Sequence, residues 1–307
     1  MRFVSPEAAL QQGLGAYRSG VYPLAEQALG YAADRGSILG KYYLSRLYAD
    51  SNSPRINHAR AYELVYDIVK QHAARIDVDD DPRARYVGKS LTAMALYWLR
   101  GLPEIGIQRN AERAAGYLQE AATFFRDHDA QFELAKLYLT GEGVPLDRRQ
   151  GLHWLSRLSQ AGHAGAQAFL AQLYWNGKLV PKDEAKALAL ITLASENAPN
   201  HERIWIEDIY QSIFCGMSAG VRRNTQGLIG SFRKHYSPAP GAEPLEALGL
   251  APSAQRTCAD GTPLPSRSGD AAGVESQGNG VARSRTSTDG QRIPSFQSGV
   301  LGIGERR

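Results

Sequence analysis

Ser231 and Lys234 stand three residues apart in "SFRK", the spacing with which penicillin-recognising enzymes set a serine nucleophile beside its lysine. The companion Ser-Asp-Asn and Lys-Thr-Gly motifs are missing from the chain, and the pair ends a basic helical stretch, so it reads as helix surface. Seven histidines, at positions 58, 72, 128, 153, 163, 201 and 235, form neither an HExxH pair nor a cluster at ligand spacing. His153 and His163 flank a repeated helix and read as packing or capping residues. The acidic run "DVDDD", Asp77 to Asp81, opens like a calcium loop. Pro82 then stands at the glycine position and Gly88 at the bidentate glutamate position. A solvated acidic loop fits better, with a protease-accessible or partner-contacting insertion as the functional alternative. "GEGV" from Gly141 follows a helical pattern rather than a strand and lacks the Gly-Lys-Ser/Thr of a phosphate loop, so it reads as helix punctuation. No catalytic, cofactor-binding or metal-binding residue is therefore assigned. Cys215, in "SIFCG" at a helix end, reads as a small buried hydrophobe, with a disulfide to Cys258 in an oxidising compartment as the alternative.

With so little chemistry on offer, the chain is more informative about surfaces than about reactions. It has 307 residues, 43% of them hydrophobic, enough to bury a sizeable core. No run has the length of uncharged apolar residues that a spanning helix needs. The start, "MRFVSPEAALQQG", shows no apolar stretch of signal-peptide length, so from this sequence alone export is not expected. Lys and Arg number 35 against 31 Asp and Glu and are scattered, which argues against a nucleic-acid partner. Two cysteines exclude a disulfide framework or a CxxC zinc cluster.

Up to Tyr236, Ala, Leu, Tyr, Arg and Glu recur at helical spacing and alternating strands are absent, so the domain 1–236 is expected to be all-α. "AQFELAKLYLTGEGVPLD" at Ala130 recurs 36 residues later as "AQAFLAQLYWNGKLVPKD" at Ala166. In the first copy Ala130, Leu134, Leu137 and Tyr138 share one helix face, and in the second Ala166, Leu170, Leu173 and Tyr174 do the same. Gly141 and Gly177 should stop these helices, and Asp147 and Asp183 should cap the next ones, Asp147 in a capping box with Gln150. Each unit is then helix, turn, helix, too small to bury its own apolar stripe, so units must stack. Tyr17, Tyr48 and Tyr97 mark earlier units at drifting spacing. "ERIWIEDIYQSIFCG" and "VRRNTQGLIGSFRKHY" supply a terminal helical pair over about 201–236. From Ser237 to Arg307 the chain is rich in Pro, Gly, Ser and Ala and reads as a disordered tail. Residues that vary between units on the first helices of each pair should meet a partner on the concave side: Arg46, Glu133, Lys136, Gln172 and Trp175.

The alanines, "LY", "G-x-G-V", "HW" and "AGHAGAQ" resemble the Sel-like repeat family, relatives of the tetratricopeptide repeats, which implies a right-handed superhelical solenoid that binds proteins. Longer strings, among them "AATFFRDHDAQFELAKLYLTGEGVP", "HWLSRLSQAGHAGAQAFLAQLYWNGK" and "ERIWIEDIYQSIFCG", resemble the negative regulators of exopolysaccharide production of rhizobia and related alphaproteobacteria over roughly Ala16 to Tyr236. That resemblance implies a periplasmic, non-enzymatic protein without direct membrane insertion. It would bind the periplasmic domain of an ExoS-like sensor histidine kinase, hold the ExoS/ChvI two-component pathway off, and be open to removal by periplasmic proteases. Members of that family carry an export signal; if Met1 is the native start, the expectation becomes a cytoplasmic adaptor or chaperone-like scaffold.

Overall fold

The computed structural model describes residues 3–50, 53–199, 202–236, 256–260 and 262–265. Among them the chain forms thirteen α-helices, a single 3-10 turn at Pro103–Ile105, and no strand longer than an isolated bridge. The helices pair in sequence: α1 (Pro6–Arg18) with α2 (Tyr22–Asp34), α3 (Ile38–Ala49) with α4 (His58–His72), and α5 (Ala84–Arg100) with α6 (Ala111–Thr123). There follow α7 (His128–Thr140) with α8 (Arg148–Gln160) and α9 (Ala164–Asn176) with α10 (Glu184–Asn197). A last first-position helix, α11 (Arg203–Gly216), precedes α12 (Ala219–Asn224) and α13 (Gln226–His235). Among the described residues, five helical hairpins therefore precede three terminal helices, where the sequence suggested a terminal pair. The terminal second helix is split at Thr225, whose hydroxyl and N–H both donate to the Val221 carbonyl. No helix among the described residues is long and apolar enough to cross a membrane.

Stacking explains the burial pattern. In α7, Ala130, Leu134 and Leu137 enter the core shared with α5 and α6. Phe132, Ala135 and Leu139 of the same helix enter the core shared with α8 to α11. A helix sandwiched in this way is buried nearly all round rather than on one stripe. Burying a Leu or Phe side chain contributes about 1.5–3 kcal/mol, and each inner unit gains it on both sides.

The turns follow the expected chemistry and add to it. Gly141 and Gly177 end α7 and α9 in the left-handed conformation. Asp147 and Asp183 cap α8 and α10, accepting from Gln150 N–H and Lys186 N–H at 2.9 Å each. The capping box expected at Asp147 is replaced by a longer tie, in which the Asp147 N–H donates to the Tyr138 carbonyl at 2.9 Å. Asp183 bonds Tyr174 at 3.0 Å, Asn57 bonds Tyr48 at 2.7 Å and Asn110 bonds Trp98 at 2.7 Å in the same way.

Two sequence readings need correction. Cys215 and Cys258 are joined in a disulfide across 43 residues, so Cys215 is not the lone buried thiol first expected and the alternative pairing is the one formed. Closing a loop of that length removes about 4 kcal/mol of unfolded-chain entropy in the chain-entropy picture. The segment around Cys258 is consequently docked on α11 rather than part of a uniformly structureless tail; the remainder of 237–307 lies outside the described residues. The acidic loop is tied internally: Asp77 accepts from Asp79 N–H at 3.0 Å, and Arg83 clamps Asp81, holding its carboxyl down to about 2.

Position 143 shows where the repeat is unforgiving. Gly143 has φ +69, and a Cβ there would lie 2.2 Å from the Ala111 carbonyl oxygen at the start of α6. Its counterpart one repeat later, Leu179, holds the same left-handed backbone (φ 64) with a side chain. Gly143→Ala is therefore expected to destabilise the protein by more than about 2 kcal/mol, because it adds a backbone clash to the left-handed penalty. Leu179→Gly should change stability by under about 1 kcal/mol, relief of strain offsetting lost packing. Urea denaturation followed by circular dichroism compares the two.

Candidate protein-interaction face

Three first helices, α3, α7 and α9, carry the five residues expected to meet a partner, and the helices packed on either side decide how far each is exposed. Glu133 and Lys136 are buried, 8% and 5% exposed, and Lys136 Nζ donates to Glu133 Oε1 at 2.7 Å. Lys136 also lies 4.7 Å from the Phe132 ring centroid. The sandwiching of α7 turns these two inward, so they pair with each other instead of presenting free charge. Arg46 and Gln172 are half-buried, and Arg46 donates to the Tyr42 hydroxyl at 3.4 Å. Trp175 is also half-buried, near the end of α9, with Lys182 Nζ 5.3 Å from its ring and the ring edge against Gly216 of α11. Tyr138 and Tyr174 pack against the core from partly buried positions, alongside fully enclosed Leu134.

The structure brings together a second set of groups that the sequence reading passed over. Lys89 of α5 pairs with Asp129 at 3.2 Å and Asp127 at 3.7 Å, both at the start of α7. Asp127 is the cap of α7, accepting from Ala130 N–H at 2.8 Å and Thr92 Oγ1 at 3.0 Å. Asp129 reaches forward to His163 Nε2 at 3.1 Å. His163 in turn caps α9, its Nδ1 accepting from Ala166 N–H at 3.1 Å, which fixes the proton on Nε2 in the neutral ring. Glu202, at the start of α11, is 7% exposed and completes a charged ladder across four units. Asp127 and His163 occupy matching cap positions in "DHDA" and "HAGA", the one sequence signal that could have found the ladder.

The ladder's electrostatics follow from its burial. Desolvation raises the Asp127 carboxyl, with Lys89 opposing it. Burial alone would depress the His163 imidazole, but hydrogen bonding and attraction to Asp129, with Glu202 and Asp127 behind, lift it above its ordinary value. Glu202 is pushed up to about 7, chiefly by desolvation and against the pull of His163. Nothing in this arrangement resembles a nucleophile with its base. Ser231 and Lys234 are exposed on α13, and no group of three or more His, Cys, Asp or Glu among the described residues could hold a metal ion.

Because Glu202 ionises later in the folded chain than in the unfolded one, the folded state binds more protons between about pH 4.5 and 7, and its stability falls as pH rises through that window. Glu202→Gln cannot ionise. The stability difference between variant and parent should therefore grow in the variant's favour from pH 5 to pH 8, by an amount on the order of 2–3 kcal/mol; urea midpoints at the two pH values measure it.

A family model described as Sel1 repeat matches residues 89–123, 128–163 and 164–198. Two curated relatives are similar over most of the solenoid, both described as "Exopolysaccharide production negative regulator". One, from Rhizobium meliloti (strain 1021), is 28% identical over 218 residues, covering 71% of this chain and 78% of the relative. The other, from Rhizobium leguminosarum bv. viciae, is 25% identical over 216 residues, covering 70% and 78%. Among solved structures, a Sel1 repeat protein from Oxalobacter formigenes superposes with a TM-score of 0.53 at 21% identity, covering 78% of this chain and 88% of that one. That likeness speaks for the fold. The three matched segments coincide with the hairpins α5/α6, α7/α8 and α9/α10, so these three hairpins are Sel1 repeats within an all-helical solenoid.

Proposed function

We propose that this chain is an exported, non-catalytic negative regulator of exopolysaccharide production. It binds the periplasmic domain of an ExoS-like sensor histidine kinase and holds the ExoS/ChvI two-component pathway off. The carrying observation is the breadth of the similarity: the two curated relatives of that description match over about 70% of the chain, well beyond the three Sel1 repeats. Stacked helical units suit such a role, because they offer a long surface on which each unit contributes different side chains.

Location in the periplasm is supported by the Cys215–Cys258 disulfide, since such links form and persist in oxidising compartments and are rare where glutathione and thioredoxin keep thiols reduced. Of the five residues expected to meet the kinase, Arg46, Gln172 and Trp175 keep partly open positions, and Trp175 has the flat, amphipathic ring favoured at binding hot spots. Release of the kinase by periplasmic proteases belongs to the same reading.

A deletion strain should overproduce exopolysaccharide and be rescued by an exported form but not by one confined to the cytoplasm. Rescue by the cytoplasmic form would favour an intracellular adaptor instead. With purified full-length chain and the kinase's periplasmic domain, Trp175→Ala should weaken binding roughly tenfold, about 1.4 kcal/mol, while leaving helicity intact; unchanged affinity would place the contact elsewhere.

A further inference from the structure

Among the described residues, the hairpin around Cys258 is held on the solenoid by few contacts apart from one covalent bond. Within it, Cys258 N–H donates to the Thr262 carbonyl at 2.8 Å and Leu264 N–H to the Arg256 carbonyl at 2.9 Å. Asp260 Oδ1 accepts from Thr262 N–H at 2.9 Å to shape the turn. Against α11 it places Arg256 Nη1 3.3 Å from Asp208 Oδ1 and 3.4 Å from Gln211 Oε1, and it buries Cys258 and Leu264. Among the described contacts, an exposed ion pair and the buried Cys258 and Leu264 side chains do not offset the ordering of the segment. The disulfide to Cys215 must do so.

Asp208, Gln211 and Cys215 stand at offsets 0, 3 and 7, so they form one stripe of α11. The helix's other stripe, Ile206, Ile209 and Ile213, faces the core. Among the described residues no further helical unit follows α13, so the outer stripe has the hairpin as its cover in place of another repeat. Solenoids need such end covers, because a terminal unit otherwise leaves a stacking surface open. Here the cover is fastened by a bond that thiols can break.

We propose that Cys215–Cys258 is a thiol–disulfide exchange site for a dithiol oxidoreductase, and that opening it detaches the hairpin and uncovers the Asp208–Gln211–Cys215 stripe. Cys215 is half-buried, whereas Cys258 is 7% exposed, so the incoming thiolate attacks Cys215 Sγ. The S–S bond breaks, Cys258 leaves as a thiolate and takes up a proton, and Cys215 holds the oxidoreductase in a mixed disulfide. The second thiol of the oxidoreductase then attacks its own bridged sulfur. Cys215 is released as a thiol and the oxidoreductase departs as a disulfide, having given up two electrons and two protons. The reverse sequence closes the latch. This holds whatever partner the solenoid binds.

The test uses the oxidised full-length chain treated under native conditions with dithiothreitol or a reduced thioredoxin-fold protein. Thiols are counted after denaturation, and amide hydrogen exchange is read by segment. We expect no free thiol before treatment and two after it, with circular dichroism unchanged. Exchange over 203–216 and 256–265 should quicken by roughly tenfold or more, while 128–198 keeps its protection. Cys258→Ser and the double variant Cys215→Ser/Cys258→Ser should match the reduced parent without any reductant. Two free thiols in the untreated chain, a bond that yields only when the whole protein unfolds, or unchanged exchange over 203–216 would each overturn the proposal.

Discussion

The tie from the start of each second helix to the end of the first is the bond on which the geometry of this solenoid rests. Asn57, Asn110, Asp147 and Asp183 each face two ways: the side chain accepts a helix N–H, and the backbone N–H reaches back to Tyr48, Trp98, Tyr138 or Tyr174. The opposite turns repeat the device, with Ser37, Asp127 and His163 donating to Ala32, Ala121 and Leu158 of the preceding second helix. Each bond is worth about 1 kcal/mol net. In a fold where a unit touches only its neighbours, however, each tie also fixes the angle at which the next helix departs, and any error would accumulate along the axis.

Capping residues therefore carry more than capping, and the charged ladder grows out of them. Two of its members, Asp127 and His163, are caps by necessity of the turn, and their remaining atoms are then close enough to Lys89 and Asp129 to pair. Buried ion pairs are poor sources of net stability, because desolvation offsets most of the attraction. What they supply is discrimination: a unit stacked in the wrong register would leave Asp127 buried without Lys89 and Thr92. The ladder is a statement about alignment between units.

Local features of this fold were legible in the sequence and distant pairings were not. Gly141, Gly177, Asp147 and Asp183 could be read because a helix stop and a helix cap are decided by neighbours within four residues. The 36-residue recurrence then gave the unit and the all-helical class. Glu133 and Lys136 misled because variation between copies was taken as exposure, whereas a helix packed on two sides hides even its variable positions. The Lys89–Asp129 pair spans 40 residues and the Cys215–Cys258 bond 43, and no periodicity connects either pair. The split of the last helix at Thr225 went unread for a different reason: a threonine's choice to bond its own backbone is weak until the surrounding helix is in place.

The paired turns at Gly143 and Leu179 bear on how such a protein can be rebuilt. Their backbones are alike, yet the first is pressed against Ala111 and the second has room for a leucine. The copies are consequently similar without being interchangeable: the later unit could not be moved one place earlier with its leucine intact, while the earlier could be moved later. Duplication followed by shuffling is thus a one-way operation at this joint. A lineage or an engineer extending the array must add units of the permissive kind at its end, or carry the glycine inward with each insertion.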